Sequence, residues 1–244
     1  MKQGFFEIVE NIPLTSNVYR MILRGDTSDI TTAGQFINIK LDGMYLRRPI
    51  SVCDCDSETV TIIYKVVGKG TEAMSMLKSG KLDVLTGLGN GYDTSLSGDK
   101  PLLLGGGVGV PPLYLLAKKL IAEGKKVSVI LGFNTKDEVF YKDEFEALGA
   151  SVTVTTVDGS FGVKGFVTDA AKDMDYSYYY TCGPEPMLKA IYKSLSTSGQ
   201  LSFEERMGCG FGACMGCSCK TVTGYKRICK DGPVLKKEEI LWEK

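Results

Sequence analysis

Five of the eight cysteines in this 244-residue chain fall in MGCGFGACMGCSCKTVTGYKRIC, residues 207–229. Their spacing is Cys209-x4-Cys214-x2-Cys217-x11-Cys229, with Cys219 as a fifth thiol. Four soft thiolates suit either zinc or iron–sulfur. Structural zinc sites made of four cysteines usually pair their ligands as two short C-x2-4-C knuckles, whereas C-x4-C-x2-C followed by one later cysteine is a spacing of two-iron, two-sulfide centres. The pattern therefore favours a 2Fe-2S cluster over zinc. Glycines at 208, 210, 212 and 216 agree with it, because a loop wrapped around inorganic sulfide must bring amide N–H groups close, and side chains would obstruct that approach. The plain alternative is a Gly/Cys-rich loop of inert thiols. Spacing alone leaves Cys219 open as a replacement for Cys217. Cys53, Cys55 and Cys182 lie in or beside apolar strands, where a small buried thiol is ordinary.

The rest of the composition narrows the chemistry. There is no histidine, which removes imidazole base catalysis, mixed Cys/His zinc sites and a Rieske-type cluster together. Lys plus Arg number 29 and Asp plus Glu number 29, so no net field draws the chain to nucleic acid or to an anionic membrane surface. Glu7 and Glu10 interrupt the apolar N-terminal stretch, and nowhere is there an uncharged apolar run of about 18 residues. The expectation is a soluble cytoplasmic protein with no nucleic-acid and no membrane partner. Thiols stay reduced in that compartment, so clustered cysteines read as metal ligands or redox groups rather than disulfides.

Two further stretches have the look of nucleotide sites. Leu102-Leu103-Leu104-Gly105-Gly106-Gly107-Val108-Gly109-Val110-Pro111-Pro112 runs from an apolar strand through a glycine turn into a helix that starts on proline. Such a turn offers backbone N–H groups and a positive helix end to a pyrophosphate. A glycine-rich turn can also be mere packing, and this one departs from G-x-G-x-x-G, so an ordinary Rossmann dehydrogenase is not supported. Thr181-Cys182-Gly183-Pro184 closes another strand, and ligands in open parallel sheets collect at such carboxyl ends. Nearer the N-terminus, Arg47-Arg48-Pro49-Ile50-Ser51 ends one run, and Ile63-Tyr64-Lys65 leads to Gly68-Lys69-Gly70-Thr71 in the next. An arginine followed three residues later by a hydroxyl can give a phosphate a fork and a flavin edge a hydrogen bond. Alone, an arginine before proline is usually solvated surface.

Three kinds of element must position these residues. Residues 1–98 carry short β-prone runs, FFEIVENI, NVYRMILR, QFINIKL, TVTIIYKVV and KLDVLTGL, punctuated by Gly, Asp, Ser and Asn; this predicts an antiparallel barrel. Residues 99–206 alternate apolar runs with helical stretches, which predicts a doubly wound parallel sheet with helices on both faces. The boundary is expected at Gly98-Asp99-Lys100-Pro101. Past Arg206 the periodicity disappears, so 207–244 is expected to be a lobe organised by something other than a hydrophobic core. No internal repeat or low-complexity tract is present.

A barrel with R-P-I-S and G-K-G-T, then G-G-G-V-G-V-P-P, then C-G-P, resembles the ferredoxin–NADP reductase superfamily. With E-E-R-M-G-C-G-x-G-A-C-x-x-C and a closing C-x-D-G-P-V, essentially the whole chain is similar to the electron transfer subunits of dihydroorotate dehydrogenase B. The resemblance implies FAD held by Arg48, Pro49, Ile50, Ser51, Ile63, Tyr64, Lys65, Gly70 and Thr71, in a barrel of residues 1–98. It implies NAD(H) as substrate in the 99–206 domain, at the turns formed by Gly105, Gly106, Gly107 and Gly109 and by Gly183 and Pro184, with Cys182 orienting the nicotinamide. It also implies Cys209, Cys214, Cys217 and Cys229 as cluster ligands, which leaves Cys219 out. In that family the partner is a separate FMN-containing catalytic subunit, two of each forming a heterotetramer in pyrimidine biosynthesis. An NADH-linked flavin and iron–sulfur wire needs no histidine, because FAD converts a hydride's electron pair into the single electrons a 2Fe-2S centre accepts. One rival, the small flavin/iron–sulfur subunit of a sulfide dehydrogenase or bifurcating transhydrogenase, shares all three motifs; another, of a different class, is a zinc-stabilised nucleotide-binding regulator with no redox role.

Overall fold

Alternation of apolar and polar side chains makes the first ninety residues a barrel. In β1 (Lys2–Pro13), Phe6 and Ile8 turn inward while Phe5 and Glu7 face out, until a register shift between Ile8 and Glu10 leaves Val9 exposed and brings Asn11 inside. The structure, a computed structural model, describes residues 1–242; the last two residues of the 207–244 segment lie outside it. Further strands are β2 (Val18–Arg24), β3 (Phe36–Ile39), β4 (Arg48–Cys55), β5 (Thr59–Lys65) and β6 (Lys81–Leu88), with helix α1 (Lys69–Met76) between the last two. They close in the order β1-β2-β5-β4-β3-β6, antiparallel throughout, which leaves no open sheet edge. Buried Asn11 is fully engaged: its amide donates to the carbonyls of Met74 (2.8 Å) and Leu77 (2.9 Å) at the end of α1, and its oxygen accepts from the Tyr64 hydroxyl (2.9 Å). A buried amide so satisfied ties the helix to the barrel at little cost.

One expectation is corrected here. Arg48-Pro49-Ile50-Ser51 does not end a run; it opens β4. The stretch RPISVCDC carries a proline and two charges and reads as a loop by composition. Pairing with β3 on one side (Ile37 opposite Ile50) and β5 on the other (Val52 opposite Ile62) supplies what local propensity lacks.

The α/β portion comprises β7 (Pro101–Gly106), α2 (Pro112–Ala122), β8 (Ser128–Phe133), α3 (Lys142–Ala147), β9 (Ser151–Thr156), β10 (Val163–Lys164), α4 (Val167–Ala171), β11 (Tyr178–Cys182), α5 (Glu185–Ser194) and β12 (Gly199–Ser202). Leu102, Leu103 and Leu104 are wholly buried, as expected of a parallel strand covered on both faces. Helix α2 sits between sheet and barrel, burying Leu113, Leu116 and Leu120 and pairing Lys118 with Asp54 of β4 at 3.0 Å.

The cysteine-rich tail contains a hairpin, β13 (Ser218–Thr221) with β14 (Gly224–Arg227), and a last strand, β15 (Val234–Lys236). Strand β15 adds antiparallel to β12, giving a seven-stranded sheet in the order β10-β9-β8-β7-β11-β12-β15. The tail does have a share in a core: Cys217, Ile228, Cys229, Leu235 and Ile240 are buried in one cluster with Phe36, Leu85 and Leu88 of the barrel and Leu102 and Leu201 of the sheet. Its apolar residues are too few and too widely spaced to show a period, and only contact with both neighbours gathers them. Asn90 fastens the junction, its amide donating to the carbonyls of Asp231 (3.1 Å) and Val234 (2.9 Å). Two residues on, the Tyr92 hydroxyl donates to the carbonyl of Thr181 (3.2 Å). Among the described residues no helix is long and apolar enough to cross a membrane.

Candidate functional site

A cavity of about 1430 Å³ runs between barrel, sheet and cysteine-rich tail. Its wall includes Arg48, Pro49, Ile50, Ser51, Ile63, Tyr64, Lys65 and Thr71 from the barrel, and Gly106, Gly107, Gly109, Cys182, Gly183 and Pro184 from the sheet. Pockets for a single drug-sized molecule span roughly 300–1,000 Å³. This one is large enough for two nucleotides end to end.

On the barrel side the parts interlock. The guanidinium of Arg48 donates to the carbonyl of Leu46 at 2.6 Å and lies over Gly70, where a Cβ would stand 2.0 Å from its Nε. Gly70 is therefore under the arginine rather than on the cavity wall. The Thr71 hydroxyl accepts from the N–H groups of Val67 (2.9 Å) and Gly68 (3.3 Å) and donates to the Gly68 carbonyl (3.1 Å). That network folds the loop back over the start of α1, where the helix dipole favours an anion. The Tyr64 hydroxyl is committed to Asn11 inside the barrel, so this residue meets the cavity by other atoms. A loop that needs a bare Cα to seat an arginine, at the mouth of a helix, suits a pyrophosphate.

On the sheet side, β7 and β11 are neighbours with Gly105 opposite Cys182, and the Thr181 hydroxyl donates to the Leu104 carbonyl (2.9 Å). The two sequence-distant turns thus lie side by side. Their contact is backbone to backbone: a Cβ on Gly109 would stand 2.2 Å from the carbonyl oxygen of Cys182, and one on Gly183 would stand 3.3 Å from the Gly106 nitrogen, while one on Gly106 would meet Met187 Sδ at 2.4 Å. Gly105 faces Val110 and Leu113 instead and is absent from the wall. Residues 107–109 form a 3-10 turn before α2. Pro111 and Pro112 have no N–H, so donors for a phosphate must come from the glycine turn and not from the helix's first residues. Burial pushes the Cys182 thiol up to about 12, Ser202 drawing it down and Glu204 adding to the rise. It is a neutral thiol at physiological pH.

The tail's thiols come in two pairs. Burial raises the Cys209 thiol, but the amides of Phe211, Cys214 and Ala213 and the Cys214 side chain outweigh it, bringing Cys209 down to about 6. The Cys209 sulfur accepts from the N–H of Ala213 at 3.2 Å. Cys229 is buried against Cys217 and is pushed up to about 12, burial first and the Cys217 thiol second; its N–H donates to the Cys217 sulfur at 3.4 Å. Two pairs of thiols close enough for Cys209 to add to the rise of Cys229, with amides turned toward sulfur, suit a two-iron group. Gly208 and Gly216 flank Cys214, their missing Cβ atoms 3.2 and 3.5 Å from its sulfur. Cys219, on β13, shares no side-chain hydrogen bond with either pair among the described residues and faces the cavity; burial raises its thiol, and Cys217 adds to the rise.

Several wall residues escape sequence reasoning. Asn134, Glu138, Thr155, Val157 and Phe166 surround the far end of the sheet side, and Phe203, Met207 and Trp242 close the end near the tail. Asn38, in the middle of β3, carried no signal at all.

Residues 103–193 match the oxidoreductase NAD-binding domain, and residues 204–241 match the iron–sulfur cluster binding domain of dihydroorotate dehydrogenase B. The ferredoxin NADP+ reductase of Neisseria gonorrhoeae, solved with bound FAD and NADP, shares the fold over 80% of this chain and 90% of its own, with a TM-score of 0.70 at 16% identity. Barrel, nucleotide sheet and cysteine tail around one cavity define a flavin-dependent, pyridine-nucleotide-linked reductase with an appended iron–sulfur domain. Two curated relatives are dihydroorotate dehydrogenase B (NAD(+)) electron transfer subunits: that of Fusobacterium nucleatum is 47% identical, covering 93% of this chain and 94% of its own, and that of Bacillus pumilus is 46% identical, covering 98% of both. The chain belongs to this family of electron transfer subunits. It is also similar to a chain of the NADH-dependent reduced ferredoxin-NADP oxidoreductase described for flavin-based electron bifurcation, with a TM-score of 0.88 and 32% identity over 98% of this chain and 90% of that one.

Proposed function

We propose that this chain passes electrons between NAD(H) and an FMN-containing catalytic subunit that interconverts dihydroorotate and orotate, and that two copies of each assemble in the cytoplasm as a heterotetramer. The observation that carries this reading is the single cavity, whose wall joins the barrel's Arg48-Ser51 stretch, the Gly106–Gly109 turn and Cys219 of the tail. FAD supplies the change from paired to single electrons that a 2Fe-2S centre requires. Residues 1–98 hold FAD, 99–206 hold NAD(H) and 207–244 hold the cluster.

The residues divide the work. Arg48, with Gly70 beneath it and Thr71 ordering the loop, grips the FAD pyrophosphate. Pro49, Ile50, Ser51, Ile63, Tyr64 and Lys65 form the wall along the flavin. Gly106, Gly107 and Gly109, supported by Gly105, take the dinucleotide phosphates, and Gly183 and Pro184 border the nicotinamide. Cys182, kept neutral by burial, orients that ring without trading protons. Cys209, Cys214, Cys217 and Cys229 would hold the 2Fe-2S cluster.

The test is division of labour. The purified chain should oxidise NADH with ferricyanide yet neither reduce orotate nor oxidise dihydroorotate until the catalytic subunit is added, and light scattering of the mixture should give the mass of two plus two. Orotate reduction by the chain alone would refute the reading. The 32% identity with the bifurcating system supports a second reading, a small subunit of that type. Identification of the companion chain that co-purifies from native cells separates the two.

A further inference from the structure

Among the described residues three buried side-chain polar atoms lack a hydrogen-bond partner, and one of them is Asn38 Oδ1. Asn38 is 1% exposed, in the middle of β3. Its Nδ2 leaves the barrel altogether and donates to the main-chain carbonyl of Cys209 at 3.2 Å. Gly210 makes room for it: at φ +78 the residue occupies the left-handed region, and a Cβ there would stand 2.3 Å from Asn38 Nδ2. The other end of Asn38 is anchored. Its own carbonyl accepts from Arg47 Nη1 (3.2 Å), and Arg47 is ion-paired with Asp83 at 2.9 Å. Across the ladder Asn38 faces Pro49, which lies on the cavity wall.

A leucine of similar size would fill this space without stranding a buried oxygen, so shape alone does not account for an amide. Its donor bond acts on the backbone of the first cysteine in the loop. Groups just outside the ligands orient them and tune the centre they hold. We infer that Asn38 is a positioning residue for the iron–sulfur centre: its carboxamide fixes the Cys209–Gly210 backbone against the strand behind the flavin wall, and with it the cluster's seat and reduction potential. The inference rests on the reading of the cysteine tail as a 2Fe-2S site.

The test uses the full chain with its cofactors and the variants Asn38→Asp and Asn38→Ala. Iron, acid-labile sulfide and FAD per chain are measured, with the EPR g-values and midpoint potential of the reduced cluster and its rate of loss to a chelator. Both variants should keep FAD at the parent level. Asn38→Ala, missing one buried hydrogen bond, should lose iron roughly tenfold faster. Asn38→Asp keeps the shape but replaces the donor with a carboxylate, so the cluster's g-values should change and its potential should fall while that of FAD stays put. Parent-like g-values, potential and chelation rate in both variants would overturn the inference. So would loss of FAD together with the cluster in both, since Asn38 would then be a residue of the fold. A parent chain without iron and sulfide would instead remove the cluster reading, and the inference with it.

Discussion

The side chain of Arg48 crosses directly over Gly70, so close that a methyl group on Gly70 would stand 2.0 Å from the arginine's Nε. Two motifs more than twenty positions apart in the sequence thereby become one device. Arg48→Ala should weaken FAD retention by about ten- to a hundredfold, the loss of a charge-assisted contact of about 1.5–3 kcal/mol. Gly70→Ala should act in the same direction by displacing the guanidinium. In the double variant the added methyl has room, so its effect should fall well short of the product of the two singles. Equilibrium dialysis with fluorescence of released FAD reads all three; multiplicative losses would mean that the two residues act independently.

Metal analysis should find about two iron and two sulfide per chain and no stoichiometric zinc. Cys214→Ser should abolish the visible cluster spectrum, whereas Cys219→Ser should leave it nearly intact, because Cys219 belongs to neither thiol pair. Zinc in four-thiolate stoichiometry, or the reverse behaviour of the two variants, would contradict the ligand assignment.

Gly109→Ala places a Cβ 2.2 Å from the Cys182 carbonyl oxygen and 2.4 Å from its carbonyl carbon. Neither atom can rotate away, so the glycine turn must separate from the Cys182-Gly183-Pro184 turn. The expected result is a KM for NADH raised at least about tenfold, the cost of roughly 1.4 kcal/mol of lost binding, with FAD content unchanged. Steady-state kinetics with ferricyanide and the flavin absorbance of the same sample decide the point.

Burial moves the Cys182 thiol from an ordinary 9.0 up to about 12. The shift favours the neutral form in the folded chain, so its contribution to stability is fully present below pH 9 and is lost as pH rises from there toward 12. Alkylation of Cys182 by iodoacetamide at pH 8 should be at least about tenfold slower than in the urea-unfolded chain, because only the thiolate attacks. Peptide mass spectrometry over a time course measures it. Equal rates in the two states would show that the thiol is not held neutral by the fold. NADH oxidation should show no inflection between pH 6 and 9 attributable to this residue.

Much of this molecule is legible in its residues. The spacing of Cys209, Cys214, Cys217 and Cys229 is local information, since a short loop fixes which sulfurs can share a metal. Strand alternation in residues 1–98 and strand–helix alternation after Lys100 likewise repeat within a few residues, and burial on one face or two follows from them. The glycine- and proline-rich turns at the ends of β7 and β11 are legible as turns for the same reason: glycines and prolines impose their dihedral limits wherever they stand.

What only the tertiary structure decided is adjacency. Nothing in Arg48-Pro49-Ile50-Ser51 indicates a strand, because its partners in β3 and β5 are what make it one. Nothing in the order of the chain places β11 beside β7, yet that neighbour relation brings Cys182 to Gly109. The tail's buried residues have no period of their own and find a core only where barrel and sheet meet. Asn38 reads as one polar residue in an apolar strand until the fold sets Cys209 against it. The last three depend on contacts between residues far apart in sequence, whose free energy exists only when the whole chain has closed around them, and no short window of the sequence contains both partners.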